Sequence, residues 1–234
     1  MNRTPRLSKS GIEYLTHCWN FYSGCENWAN GVCPVENCWA RSITERFPGH
    51  YPNGFDPTIY PEAFLSPLHL RKPSIIGCAF MGDLFGDWVD PMRLVRVDPE
   101  GRIKEPLKVA IYRTIRLSPQ HRFLFLTKCP QNLPRWSPFP DNCWVGVSAT
   151  DRDSYNKAMW HLLAIQAKVK YISFEPLLDD VVAGILDNRH DWPVMNGSIL
   201  QNTIQWVIIG SQTKPYKPPK MKWIDDIVAA CDRA

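Results

Sequence analysis

This sequence has no apolar run near the ~20 residues that a membrane-spanning helix needs. Its basic N-terminus, MNRTPRLSKSGIEY, lacks the apolar core of a signal peptide. Together these absences exclude a helical membrane anchor or membrane partner and predict a cytoplasmic protein. Strong charge of either sign is also missing: 27 Lys and Arg against 23 Asp and Glu leave a formal +4. So small a surplus permits a phosphate-bearing partner without arguing for one. There is no nucleic-acid-reading motif, and no pair of CxxC knuckles of the kind that builds a four-thiolate zinc site. Hydrophobic content of 44% and charged content of 21% remove the case for disorder.

What is present fits one domain spanning residues 1–234. Its eight cysteines, in a cytoplasmic protein, are thiols, metal ligands or catalysts rather than disulfides. Cys18, Cys78, Cys129, Cys143 and Cys231 lie singly in apolar or strand-like contexts and read as packing. Cys25, Cys33 and Cys38 stand apart, grouped in the loop-like stretch GCENWANGVCPVENCWAR over residues 24–41.

From residue 74 onward, short apolar runs alternate with helical stretches. The runs are SIIGCAF (74–80), RFLFLT (122–127), CWVGVS (143–148), KYISF (170–174) and QWVIIG (205–210). Continuous apolarity rather than alternation predicts strands covered on both faces. Helices are predicted over 40–47, 105–117, 151–167 and 221–231, with Asp151 and Asp153 suited to the first turn of the third. HCWNFY (17–22) adds a first strand, giving six. Six βα units predict an α/β fold, an open partial (βα)6 barrel, with a flat doubly wound sheet as the alternative. Residues 48–73 carry six prolines among aromatics and read as an extended arm across the surface.

In parallel α/β folds, chemistry collects at the carboxyl ends of strands. Here that rule selects the three-cysteine loop, Gly82-Asp83, Thr127-Lys128, Ser148, Glu175 and the segment from Ser211 to Lys214. Gly82 would let a ligand approach the backbone, while Asp83 either binds an amine or hydroxyl or caps a turn. Lys128 pairs with an anion or a nearby carboxylate. The run KPYKPPKMK (214–222) is either solvated surface or a guide for an anionic substrate. For the cysteines two chemistries stay open: zinc held as Cys₃His with His17 or His50, or a cluster with one iron left free for a small ligand.

The sequence resembles a phage- and prokaryote-associated family of uncharacterised three-cysteine proteins classed with the radical S-adenosylmethionine (radical SAM) enzymes. The resemblance is carried by Thr16-His17-Cys18-Trp19-Asn20, Gly24-Cys25, Cys33 and Cys38-Trp39-Ala40-Arg41. It continues through SPLHLRKPSIIG (66–77), MGDLFGDWV (81–89), SPQHRFLFLTKCP (118–130), NCWVGVSAT (142–150), VKYISFEPLL (169–178) and WVIIGSQTKPYKPPK (206–220). It implies that Cys25, Cys33 and Cys38 bind a [4Fe–4S] cluster whose open iron takes SAM. Reductive cleavage would then give a 5′-deoxyadenosyl radical acting on an unknown substrate. It further implies that Gly82-Asp83 receives the SAM amino group and that Trp39 packs beside cluster and adenine. Ser148 and Glu175 complete the expected cofactor-binding set. A reductant such as flavodoxin or ferredoxin and a nucleic-acid substrate are the expected partners. One departure is plain: the family's close cysteine spacing is widened here to CxxxxxxxC and then CxxxxC. The alternatives are a zinc protein and an iron–sulfur protein that does not cleave SAM.

Overall fold

A computed structural model of the chain describes residues 6–35, 37–98, 100–182 and 203–232. Its first half contains β1 (Leu7–Lys9), β2 (His17–Trp19), β3 (Tyr22–Gly24), α1 (Trp39–Arg46), β4 (Thr58–Ile59), β5 (Ile75–Cys78), β6 (Met81–Gly82), β7 (Leu94–Arg96) and β8 (Lys104–Pro106). Then follow α2 (Leu107–Arg116), β9 (Arg122–Thr127), α3 (Leu133–Trp136), β10 (Cys143–Ser148), α4 (Arg152–Leu163) and β11 (Val169–Phe174). Last come β12 (Trp206–Ile209), the β13 (Gln212–Thr213) and β14 (Tyr216–Lys217) hairpin, and α5 (Met221–Asp232).

The result is a mixed α/β fold on one mostly parallel seven-stranded sheet, ordered β1-β2-β5-β9-β10-β11-β12. All six strands expected from the apolar runs are in it and all are parallel, with β1 added antiparallel at one edge. Each parallel strand lies beside its predecessor in the chain. Right-handed crossovers that always step the same way leave their helices on one face of the sheet, whereas a doubly wound sheet reverses direction. The packing agrees. Phe123, Phe125, Val145, Val147, Ile172 and Phe174 share the main core with Ala110, Ile111 and Ile115 of α2, Tyr155, Met159 and Leu162 of α4, and Ile227 of α5. The doubly wound alternative is therefore discarded.

The opposite face forms layers, because paired residues of parallel strands point the same way. Leu126, Gly146, Tyr171 and Trp206 make one row, and Ser148, Ser173 and Ile208 make the next towards the carboxyl ends. Aromatic rings fill the lower rows: Trp206 meets Tyr171 at 5.3 Å, Trp144 at 5.7 Å and Tyr14 at 5.3 Å. Among the described residues this face is packed by Ile12, Tyr14 and Leu15. It thus passes from an aromatic floor to a hydroxyl-bearing upper row.

Two sequence expectations change. Asp151 does not sit inside the first turn of α4 but caps it: its carboxylate accepts from the Ser154 N–H at 2.8 Å, and the Ser154 hydroxyl accepts from the Asp151 N–H at 3.1 Å. Residues 48–73 are not a surface arm. They contribute Tyr51, Tyr60, Ala63 and Phe64 to the main core, and the Ala63 carbonyl accepts from the Trp19 indole N–H at 2.7 Å. The prolines there bound short 3₁₀ turns at Pro61–Ala63 and Ser66–His69 whose aromatic neighbours point inward. No helix among the described residues is long and apolar enough to cross a membrane.

Candidate functional site

The cysteine loop begins where β3 ends. Gly24 has φ +93°, and a side chain there would run into the backbone of Asp56 and Pro57. β3 pairs in parallel with β6, Gly24 beside Gly82, so closely that a Cβ on Gly82 would overlap the Gly24 backbone. The position a Gly82 Cβ would take is therefore filled by the Gly24 backbone. This close crossing ties the start of the cysteine loop to the segment that carries Asp83.

The seven residues between Cys25 and Cys33 do not form a slack loop. They coil into one helical turn: the Asn30 N–H reaches the Glu26 carbonyl at 3.0 Å, the Gly31 N–H that of Trp28 at 3.1 Å, and the Val32 N–H that of Asn27 at 2.8 Å. With Gly31 at φ +69°, these last two bonds make a Schellman closure. At the start of the turn the Cys25 sulfur accepts from the Asn27 N–H at 3.4 Å, as an N-cap oxygen would. The widened spacing thus costs little reach, because the added residues are wound up. Cys38 is the N-cap of α1, at the positive end of that helix, a position suited to a negatively charged ligand. Arg41 of α1 leans over the rings of Trp28 and Phe55, 5.4 Å from each, which holds the helix against the turn.

Cys33 and Cys38 lie near enough to Cys25 to act on its thiol. Burial pushes the Cys25 thiol up to about 12, and the proximity of Asp83, Cys33 and Cys38 adds to the rise against the Asn27 N–H bond. Such a thiol is ionised by a metal rather than by neutral water. Yet among the described residues no three His, Cys, Asp or Glu side chains close on one point as a single-ion site would require. His17 stands at the other end of β2, beside Thr16 at 3.1 Å and near His121. His50 lies edge-on to Tyr51 at 4.9 Å. A tetrahedral zinc draws its ligands to one centre, whereas a cubane spreads three thiolates over three irons. Three thiols in one loop are the donor set that a cluster with one open iron would use.

Asp83 is 4% exposed and is the hub beside the loop. Its Oδ1 accepts from the Thr127 hydroxyl at 2.7 Å and the Phe85 N–H at 3.1 Å; its Oδ2 accepts from the Asn27 amide at 2.8 Å and the Lys128 N–H at 2.9 Å. Of the two roles open in the sequence, the turn cap is the one built, extended into a clamp between β6, β9 and the cysteine loop. Lys128 meets Asp83 through its backbone, not its ammonium. Cys129, read as packing, donates its S–H to the Asn27 side-chain oxygen at 2.9 Å. Burial holds that thiol well above its ordinary range, with Asp83, Asp87 and Cys25 adding to the shift. Thr127 was selected in the sequence by its place at a strand end, whereas Asn27 was missed and Cys129 was read as packing although it stands two residues past the same strand end.

The remaining expected residues occupy the same end of the sheet without joining that cluster. Trp39 is 53% exposed at the first position of α1. Ser148 is buried at the end of β10, and Glu175 follows β11, two and three strands beyond β5. The Glu175 carboxylate accepts from the Ser173 hydroxyl at 2.9 Å and the Tyr14 hydroxyl at 3.4 Å. Burial, reinforced by Glu175, holds the Tyr14 phenol well above its usual range. After β12, Lys214, Tyr216 and Lys217 stand exposed on the β13–β14 hairpin.

The model of a family described as "Protein of unknown function (DUF5131)" matches residues 9–234. The chain belongs to that family. A solved structure titled "Spore photoproduct lyase complexed with dinucleoside spore photoproduct" is similar to this DUF5131 protein at a TM-score of 0.44 and 11% identity. The likeness covers 75% of this chain and 50% of that one, so it spans half the length of the solved protein. No curated protein matches the sequence.

Proposed function

We propose that this DUF5131 protein is a radical SAM-type enzyme on an open partial (βα)6 barrel, with Cys25, Cys33 and Cys38 as ligands of a [4Fe–4S] cluster. The observation that carries the reading is the cysteine group itself. Cys25, Cys33 and Cys38 lie in one short, folded loop that starts at the close Gly24–Gly82 crossing and ends at the N-terminus of α1, beside a sequentially ordered parallel sheet. When bound, the cluster and SAM supply an electron-driven source of a 5′-deoxyadenosyl radical for hydrogen abstraction.

The chain's own residues do the holding and shielding. Cys25, Cys33 and Cys38 hold the cluster, and Trp39 covers its exposed side. The Asp83 carboxylate is consumed by four donors. It therefore supports the site through Asn27 and the strand ends, while the backbone at Gly82-Asp83 borders the amino-acid end of SAM. Ser148 and Glu175 line the face opposite the described helices. There the aromatic floor of Trp144, Tyr171 and Trp206 excludes water from reactive chemistry. A flavodoxin- or ferredoxin-class donor supplies the electron. The exposed Lys214 and Lys217 favour an anionic substrate, nucleic acid among that class.

Anaerobic reconstitution with iron and sulfide tests the cluster. Wild type should turn brown with about four irons per chain, and C25A, C33A and C38A should each lose most of that iron. Colourless protein holding a single zinc would sink the reading.

A further inference from the structure

We propose that Asn27 is the positioning residue of the cysteine loop, presetting Cys25 and Cys33 before any cofactor arrives. Asn27 is 2% exposed and uses every polar group that it has. Its amide N–H₂ donates to Asp83 Oδ2 at 2.8 Å, and its Oδ1 accepts the Cys129 S–H at 2.9 Å. Only this orientation gives the carboxylate a donor and the thiol an acceptor. Its backbone N–H donates to the Cys25 sulfur at 3.4 Å, and its carbonyl accepts the N–H groups of Val32 at 2.8 Å and Cys33 at 3.1 Å. One residue therefore touches a first thiol, fixes the backbone of a second, and anchors both to the ends of β6 and β9. Cys129 and Asp83 hold Asn27 from outside the loop, so the anchor does not depend on the loop's own turn. N–H groups directed at cluster thiolates, and the partners that orient them, also tune retention and potential.

Treating Cys25 and Cys33 as ligands rests on the proposed function; the presetting itself does not, and the test separates the two. In metal-free protein, alkylation of Cys25 and Cys33 by iodoacetamide is followed by mass spectrometry, with exposed Cys231 as internal standard. N27A should speed both by about tenfold, the factor given by 1.4 kcal/mol of easier opening, leaving Cys231 unchanged. C129S keeps an O–H donor for Asn27 Oδ1 and should react like wild type, whereas C129A should be faster. Should N27A fail to fold, the Cys129 pair decides: equal rates for C129A and C129S overturn the proposal. A folded N27A alkylating at the wild-type rate overturns it as well. In reconstituted protein, N27A should lose iron to a chelator faster and shift the midpoint potential. If wild type takes up no iron, the enzyme reading fails, while the alkylation rates still decide the role of Asn27.

Discussion

Asp83→Asn separates a structural carboxylate from a ligand-binding one. Asparagine keeps the shape but turns one oxygen into an N–H₂ donor. If the new amide takes the Oδ2 position, it faces the Asn27 amide and the Lys128 N–H, both donors. Two of the four bonds are then lost. Hydrogen bonds to a charged acceptor are worth about 1.5–3 kcal/mol each, so the expected loss is about 3–6 kcal/mol. Turning the Asn27 side chain would recover one bond but give up its contact with Cys129, which lowers the loss without cancelling it. Domains of ordinary stability have about 5–15 kcal/mol in total, so D83N should be visibly fragile. Urea unfolding of metal-free protein, read as a midpoint shift at constant slope, measures it. A loss below about 1 kcal/mol would refute the clamp and return Asp83 to the role of a residue held ready for a ligand.

Further outcomes follow from the same geometry. Gly82→Ala pushes a methyl into the Gly24 backbone and should cost about 1–3 kcal/mol by overpacking. Gly24→Ala should cost more, because a φ of +93° adds strain to its clash with Asp56; equal melting temperatures would contradict this. Burial lowers His17, His121 and His161 below their ordinary 6.5, against the carbonyl bonds made by His121. The unfolded chain then takes up protons first, so this stabilisation is complete above about pH 6.5 and lost as pH falls below it. A melting temperature unchanged from pH 7.5 to 5 would contradict that sign. The double reversal K214E/K217E should weaken binding of a labelled single-stranded oligonucleotide and flatten its salt dependence; unchanged binding removes the hairpin from the substrate path.

The sheet was legible because its strands are continuous apolar runs, and their lengths map closely: RFLFLT became β9 and CWVGVS became β10. Helices expected over 105–117 and 221–231 form as α2 and α5 to within a few residues. The segment 48–73 was misread because its prolines signal local backbone, while its burial depends on Trp19, Phe21 and Arg6, far away in the chain. The Arg6 guanidinium lies 3.2 Å above the Tyr60 ring, a contact that no local pattern announces. In the candidate site, the cysteines showed by spacing alone. The Asn27–Cys129 bond spans 102 residues, and the coiling of the widened loop depends on Gly31 entering the left-handed region. The first is a product of topology; the second was readable in principle, since Gly31 sits where a Schellman closure needs it.

The central claim is that the cysteine group supports SAM cleavage, and product release tests it most directly. Anaerobically reconstituted protein, given dithionite and SAM, should release 5′-deoxyadenosine, and Cys33→Ala protein should release none. A fully loaded, brown wild-type protein that leaves SAM intact would contradict the account and make this an iron–sulfur protein of another kind.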